Sequence, residues 1–154
     1  MKKILLGFML CFLSPFVGAN DKVIFECVLK AHNEKITLTR NDQVIYVSYS
    51  TPEEAKMEEG GRYISLVLGS DLIQQAILGN TSQGFSMYTL KFQSDEMATP
   101  HYIDYEWNEG KYSASYYAMN EKADRVNSSD CLPQTIKADG ILLSSGIDGV
   151  PEMQ

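Results

Sequence analysis

The sequence predicts a mainly β protein, a small antiparallel β-barrel or sandwich with one or two short helices and one disulfide. Three observations favour this class: apolar and polar residues alternate over many short runs, turn-forming residues separate these runs, and helical periodicity is confined to two short segments. The chain has 154 residues, of which 44% are hydrophobic. That length suits a single domain, and the apolar fraction is too high for intrinsic disorder.

Seven runs have the alternation and the β-branched and aromatic content of strands. They cover residues 23–29, 36–39, 44–49, 63–68, 86–92, 102–107 and 112–119. Short polar breaks separate the first three, so the simplest arrangement is an antiparallel meander. The last two flank Asn108-Glu109-Gly110-Lys111, where Gly110 can take the positive φ that closes a short hairpin with a bulge.

Two segments have features of short helices. Thr51-Pro52-Glu53-Glu54 has the form of a capping box, and the two glycines at 60–61 would end a two-turn helix there. Residues 71–78 place Leu72, Ile73, Ala76 and Ile77 on one helical face, which predicts a second helix.

Three features are expected after the last predicted strand. Cys131 is followed by Pro133, and Asp139-Gly140 favours a small hairpin. The Gly-, Ser- and Pro-rich end from residue 144 is expected to be frayed.

The first 19 residues have the sequence pattern of a secretory signal peptide. Lys2 and Lys3 precede an apolar run over 4–16, and small residues follow up to Ala19. We expect cleavage after Ala19, which leaves residues 20–154 as one β-rich domain. No later run is long and apolar enough to span a bilayer, so no stable membrane anchor is expected after cleavage and the predicted location is periplasmic or secreted.

Cleavage changes both the cysteine count and the charge. Cys11 is removed with the signal, and Cys27 and Cys131 remain as an even pair in an oxidising compartment, where disulfides persist. We therefore expect a Cys27–Cys131 disulfide. Loss of Lys2 and Lys3 takes the formal charge from −7 to −9.

The acidic charge disfavours a nucleic-acid partner, because such proteins need clustered Lys and Arg to displace counterions from phosphates. It suits a cationic protein partner in the cell envelope instead, through electrostatic steering.

No motif for catalysis, metal or cofactor binding is found. Phosphate-binding glycine loops, nucleophile elbows and paired zinc-binding histidines are lacking. His32 lies in a polar turn, and His101 has Asp104 and Glu106 nearby without a third nitrogen or thiolate ligand for zinc. The glutamates within 53–59 lack a calcium loop. The expectation is a non-enzyme with no cofactor and no metal.

The most suggestive stretch is 101–119. Alternation places Ile103, Tyr105 and Trp107 towards the core, and a strip of Tyr102, Asp104 and Glu106 on the outside. Tyr112, Tyr116 and Tyr117 are expected to extend this strip across the hairpin.

Three interpretations of the strip remain open. It binds a protein or a sugar ring, principally through Tyr102, Asp104, Glu106 and Tyr112. Alternatively, its aromatic pairs only stabilise the sheet. As a third alternative, Asp104 and Glu106 form the carboxylate pair of a glycosidase, because their strand spacing does not exclude that chemistry.

Several segments resemble one class of small exported bacterial β-domains. They are Phe25-Glu26-Cys27, Ile45-Tyr46-Val47-Ser48-Tyr49, Tyr88-Thr89-Leu90-Lys91-Phe92 and the late Cys131. The pattern is also similar to that of the periplasmic C-type lysozyme inhibitors, which are small disulfide-closed β-barrels. The inhibitors' Ser/Gly-rich recognition loop has only a rough counterpart at 79–84, so no inhibitory residue is carried over. The resemblance implies an all-β exported domain with a binding role.

The function expected from these observations is non-enzymatic binding in the periplasm or outside the cell. An inhibitor or immunity protein directed at an envelope hydrolase is the first hypothesis. A carbohydrate-contacting envelope module is the alternative, and an envelope hydrolase is the third.

Overall fold

A computed structural model describes residues 21–57, 60–70 and 72–154. The predicted signal peptide, residues 1–19, lies outside this part of the chain. Among the described helical turns, none is long and apolar enough to cross a membrane.

The described residues form a sandwich of two five-stranded antiparallel sheets, so the sandwich is the correct alternative of the two predicted architectures. The strands of the first sheet are β1 (Lys22–Val28), β2 (Lys35–Asn41), β3 (Val44–Ser50), β4 (Arg62–Val67) and β10 (Lys137–Ala138). Those of the second are β5 (Ile73–Asn80), β6 (Phe85–Phe92), β7 (His101–Asn108), β8 (Lys111–Met119) and β9 (Arg125–Asp130). Their orders are β10-β1-β2-β3-β4 and β5-β6-β7-β8-β9.

The core lies between the sheets and is built by the alternation that predicted the strands. In β3, Ile45, Val47 and Tyr49 are buried while their neighbours are partly exposed. Aromatic pairs join the two layers: Phe25 lies 6.0 Å from Tyr105 and Tyr49 lies 5.8 Å from Tyr116, between ring centroids.

The predicted disulfide is confirmed, and it joins the two sheets. Cys27 lies on β1, and Cys131 directly follows β9. Their Cα atoms are 5.7 Å apart, and both side chains are buried. The neighbouring residue Leu29 forms an antiparallel bridge with Cys131, so backbone pairing supports the same junction.

Two local predictions are partly correct. The capping box forms, because the Thr51 N–H donates to Glu54 at 2.8 Å and the Glu54 N–H donates to Thr51 Oγ1 at 3.2 Å, but only one 3-10 turn follows, Glu54–Lys56. The hairpin after β7 also forms. It has no bulge, since Glu109 and Gly110 both take positive φ and make a two-residue turn.

The helix predicted over 71–78 is wrong. Asp71 lies outside the described residues, Leu72 lies in a turn, and residues 73–78 belong to β5, which pairs with β6 from Ile73 to Asn80. Its inward positions are Ile73, Gln75 and Ile77. The polar Gln75 interrupts the apolar alternation, so the segment has the pattern of a helix in sequence although it is a strand.

The C-terminal predictions are also wrong. No hairpin forms at Asp139-Gly140, because β10 pairs with β1 and a 3-10 helix, Gly140–Leu143, follows directly. The end of the chain from residue 144 is packed rather than frayed. Ile147 and Val150 are buried against the core, and they hold the segment against the sandwich.

Candidate functional site

The register of β7 places part of the predicted strip on the outer face of the second sheet. Tyr105 packs inward against Phe25, so Tyr102, Asp104 and Glu106 point to the other face by alternation. Cross-strand pairing with β8 sets Tyr102 opposite Tyr117. These three side chains of β7 therefore share an outer face, as predicted.

Asp104 lies at the centre of this face and is only 8% exposed. Its carboxylate accepts hydrogen bonds from Thr89 Oγ1 at 2.8 Å, from Arg125 Nη2 at 3.0 Å and from the Tyr117 hydroxyl at 3.4 Å. These partners come from β6, β8 and β9, so Asp104 connects four adjacent strands. Three donors already engage the carboxylate, and nothing in its surroundings favours the role of a glycosidase acid.

The aromatic rings around Asp104 are also engaged with each other. Tyr102 and Tyr117 stack with centroids 5.1 Å apart and an interplanar angle of 3°. The Arg125 guanidinium lies 3.9 Å from the centroid of the Tyr117 ring. Burial raises the pKa of Tyr117 to about 12 and also raises that of Tyr102. This arrangement, which we call the outer cluster, matches the sheet-stabilising interpretation.

Glu106 differs from Asp104 although it lies on the same face. It lines a hollow of about 300 Å³ together with Lys30, Ser113 and Asp130. Lys30 pairs with Asp130 at 3.3 Å, whereas Glu106 has no ion pair with any described residue. Its carboxylate is therefore the available anionic group of this face.

Tyr112 does not belong to the strip, contrary to the prediction. The two-residue turn sets Tyr112 opposite Trp107, and directly opposed residues of antiparallel strands share a face, which here is the inner one. Tyr116 lies inward for the same reason, opposite Ile103, so of the three tyrosines on β8 only Tyr117 is on the outer face.

Tyr112 forms part of a separate hollow at the rim of the sandwich, which we call the Tyr112 hollow. Its ring is 52% exposed and stacks on Tyr105 at 5.8 Å with an interplanar angle of 9°. The hollow has a volume of about 510 Å³, and Thr81 and Ser144 add hydroxyl groups to its wall. Burial, followed by the proximity of Tyr112, raises the pKa of Tyr105 to about 12.

A cleft that no single sequence segment predicts opens between the two sheets. It has a volume of about 380 Å³ and combines aromatic with charged side chains. We call it the aromatic cleft, and its lining residues are Glu34, Tyr49, Arg62, Tyr63, Ile64, Ser94, Glu96, Met97, His101 and Tyr116. They come from both sheets and from the loop after β6. Because the lining is dispersed from residue 34 to residue 116, only the tertiary fold brings it together.

One wall of the aromatic cleft carries an internal ion pair. Arg62 Nη2 lies 2.5 Å from Glu34 Oε1, and the Arg62 guanidinium lies 5.6 Å from the centroid of the Tyr49 ring. Burial is the main reason that the pKa of Tyr49 is well above its usual range. This wall is therefore ordered by contacts of its own.

The opposite wall is formed by the second sheet. The Tyr116 hydroxyl is hydrogen-bonded to Nδ1 of His101, whose ring lies 5.5 Å from that of Tyr116. Burial lowers the pKa of His101 and raises that of Tyr116, which favours the neutral form of both at pH 7. Glu96 is exposed at the mouth of the cleft and forms no ion pair with a described residue. The mouth thus presents an available carboxylate next to aromatic rings.

Within the described residues, no three or more His, Cys, Asp and Glu side chains converge in a way that could hold a metal ion. Comparison with protein-family models, with curated proteins and with solved structures finds no significant match to this chain.

Proposed function

We propose that this protein is an exported, non-enzymatic binding domain that takes a cationic protein partner at the aromatic cleft, as an inhibitor or immunity protein of an envelope hydrolase would. The signal-peptide pattern of residues 1–19 and the Cys27–Cys131 disulfide support export to the periplasm or the outside of the cell. The formal charge of −7, lowered further by loss of Lys2 and Lys3, supports a cationic partner.

The observation that carries this proposal is the combination of groups at the cleft mouth. Tyr63 borders the cleft from the outer face of the first sheet, where its ring packs edge-on against Tyr46, and it is 71% exposed. A large ring with a polar end is typical of the side chains that anchor protein interfaces. Glu96 stands near it without a described cationic partner, so it is free to meet a Lys or Arg of another protein. Behind them, the edge-to-face pair of the buried Tyr49 and the partly buried Tyr116 forms the base of the cleft.

Binding to cationic muralytic enzymes, including a C-type lysozyme, tests this function. Titration calorimetry should give a complex that Tyr63→Ala and Glu96→Gln both weaken. Loss of one well-packed aromatic anchor costs about 2 kcal/mol, which is more than tenfold in affinity. Glu106→Gln is the matched control, because it removes an exposed-face carboxylate away from the cleft. No complex with any such enzyme, or equal weakening by the control, would contradict the proposal.

A carbohydrate-contacting role is the second candidate, and the Tyr112 hollow favours it. The half-exposed Tyr112 ring is held flat on Tyr105, which offers a stacking surface for a sugar ring, and the hydroxyls of Thr81 and Ser144 lie within the same hollow. Binding on an array of envelope glycans should then be lost in Tyr112→Ala and kept in Tyr63→Ala. The opposite pattern would exclude this role for the hollow.

A further inference from the structure

The four sheet edges of the sandwich differ in how they are protected. An exposed edge presents unpaired backbone N–H and C=O groups that can pair with another chain, so proteins cover, shorten or bend such edges. Three of the edges here are managed in one of these ways, and β4 is not.

The edge at β10 is two residues long. The edge at β9 is irregular, because its register with β8 shifts and Asn127 takes a φ of 51°. The Asp130 carbonyl of β9 also accepts a hydrogen bond from the Lys30 N–H at 2.9 Å. Neither strand offers a long, regular row of backbone groups.

The edge at β5 is covered in its first half by the C-terminal segment. The Gln75 N–H donates to the Pro151 carbonyl at 2.8 Å, and the Met153 N–H donates to the Gln75 carbonyl at 2.8 Å. Glu152 forms a parallel bridge with Gln75 between them. The second half bends at Gly79, whose φ is 81°.

The backbone groups of β4 alternate between its partner β3 and the open edge. The Leu68 N–H donates to the Gln43 carbonyl at 2.9 Å, just beyond the end of the ladder, which fixes the hydrogen-bonded pairs of the register. By that alternation, the N–H groups of Tyr63, Ser65 and Val67 point to the open edge. The carbonyls of Tyr63 and Ser65 point the same way, while that of Val67 accepts from Ser70.

The N–H groups of Tyr63, Ser65 and Val67 and the carbonyls of Tyr63 and Ser65 have no hydrogen-bond partner among the described residues. Strand β3 is the only described strand paired with β4. The outward side chains beside them are exposed too: Tyr63 is 71% and Val67 59% accessible. The strand carries no Lys and no Pro, and its one charged side chain, Arg62, stands at its first position in an ion pair with Glu34.

We infer that β4 is a docking edge for an extended, basic segment of a partner protein, which adds to the first sheet as a further strand. Charge selects this occupant. Arg62, at the start of β4, is already paired with Glu34, whereas the exposed Glu96 lies beside it at the cleft mouth. The described part of the preceding connection carries Glu53, Glu54 and Lys56, which leaves it with a net charge of −1. A second copy of this acidic chain would bring like charges together, and a basic strand would not.

Strand addition at β4 would also extend the wall of the aromatic cleft that the first sheet forms. Arg62, Tyr63 and Ile64 belong to both the edge and the cleft lining. A strand paired with β4 would therefore run along the cleft mouth, where one of its Lys or Arg side chains would reach Glu96. That the partner is a cationic protein rests on the proposed function. That it binds by strand addition rests on the backbone geometry of β4 alone.

A synthetic peptide of eight alternating Val and Lys residues, blocked at both ends, is the probe. Amide hydrogen exchange should slow at Tyr63, Ser65 and Val67 when the probe binds, because strand pairing protects the amides that face it. Two further probes carry N-methyl groups on alternate residues, one set on the even positions and one on the odd. Only one of them should lose affinity, by about tenfold for two lost hydrogen bonds.

In the protein itself, Ser65→Pro should weaken the unmodified probe, because it removes an edge donor without removing a bond to β3, and Ser65→Thr should bind as the wild type does. Unchanged exchange at β4, or equal binding of both N-methyl probes, would overturn the inference. So would a homodimer that Ser65→Pro dissociates, since it would give the edge to a second copy.

These outcomes are distinct from failure of the proposed function. If the probe adds to β4 and no cationic muralytic enzyme binds, the docking edge stands and the proposed inhibitory or immunity role falls. If an enzyme binds without protecting the β4 amides, the role stands and the docking edge falls.

Discussion

The side-chain amide of Gln75 is hydrogen-bonded to both the N–H and the carbonyl of Ile147. Its Oε1 accepts a hydrogen bond from the Ile147 N–H at 2.8 Å, and its Nε2 donates to the Ile147 carbonyl at 3.0 Å. The same Nε2 donates to the Val150 carbonyl at 3.0 Å. Gln75 is 6% exposed, so one buried amide fixes the C-terminal segment to the second sheet.

Replacement of Gln75 by Leu should therefore destabilise the fold by about 3 kcal/mol. The new side chain fills much of the space but leaves one N–H and two carbonyls buried without partners, and each such group costs about 1 kcal/mol or more. Urea unfolding followed by circular dichroism measures the change. Gln74→Leu, on the other face of the same strand, is the control and should change stability by less than about 0.5 kcal/mol. Equal effects of the two substitutions would argue against a stabilising role for the Gln75 hydrogen bonds.

The Cys27–Cys131 disulfide should contribute several kcal/mol to stability. It closes a loop across a sequence separation of 104 residues, for which chain entropy gives up to about 4.7 kcal/mol, and loss of native disulfides commonly costs about 2 to 5 kcal/mol. Thermal unfolding of the double Cys→Ala variant should show this as a lower midpoint, and added reductant should lower only the wild-type midpoint. A thiol titration that finds two free thiols in the native protein would be contrary to this expectation.

Asp104→Asn should destabilise the outer cluster by about 1 to 2 kcal/mol. The substitution weakens the charge-assisted bond from Arg125 and disturbs the bonds from Thr89 and Tyr117, but Arg125 is exposed enough to regain water. Guanidinium unfolding measures the loss. Glu106→Gln, two residues along the same face, has no described ion pair to lose and should be close to neutral. A larger effect at Glu106 than at Asp104 would refute this assignment.

The ion network at Glu26 predicts an acid-dependent loss of stability. Hydrogen bonds from Lys137 and Lys35, both at 2.7 Å, lower the pKa of Glu26 below 4.5. The unfolded state then binds more protons, so the network stabilises the fold above about pH 4.5 and this contribution is lost as the pH falls through the folded pKa. Stability measured between pH 6 and pH 3 should fall less steeply in Glu26→Gln. The same slope in the wild type and in Glu26→Gln would contradict the prediction.

His101 should titrate below pH 6.5 because burial lowers its pKa. The unfolded state takes up this proton first, so the fold loses stability as the pH falls from about 6.5 towards the folded pKa. Nuclear magnetic resonance of the imidazole resonances measures the pKa directly. A His101 pKa at or above 6.5 would be inconsistent with the buried environment.

The fold class could be predicted because most strands bury alternate residues on one face. Ile36, Leu38, Ile45 and Val47 are the plainest cases, with polar or half-exposed neighbours between them. Strand β5 could not be predicted, because a buried polar residue, Gln75, occupies one of its inward positions. The hydrogen-bond partners that make this burial possible are backbone groups more than 70 residues later in the chain. Local periodicity contains no information about such a partner, and the packed C-terminal segment was missed for the same reason.

Of the candidate-site residues, those whose position depends only on strand alternation could be predicted, and those that depend on turn length or tertiary contacts could not. Alternation correctly predicted the outer face of Tyr102, Asp104 and Glu106, because it depends only on strand geometry. Tyr112 and Tyr116 differ from the prediction because the two-residue turn at Glu109-Gly110 sets them opposite Trp107 and Ile103 on the inner face, and alternation places Tyr117 on the opposite face. The aromatic cleft needs contacts between both sheets, so its residues had no common signal in the sequence.

The pairing of β1 with β10 makes the ends of this domain depend on each other. Phe25 on the first strand lies opposite Ala138, so the first sheet is completed only when almost the whole chain is present. Contacts of such long sequence separation slow folding to the range of milliseconds to seconds. Strands β1 to β4 are consecutive in the chain and can pair with each other early, but the edge of β1 at Phe25 stays open until residue 138 is available.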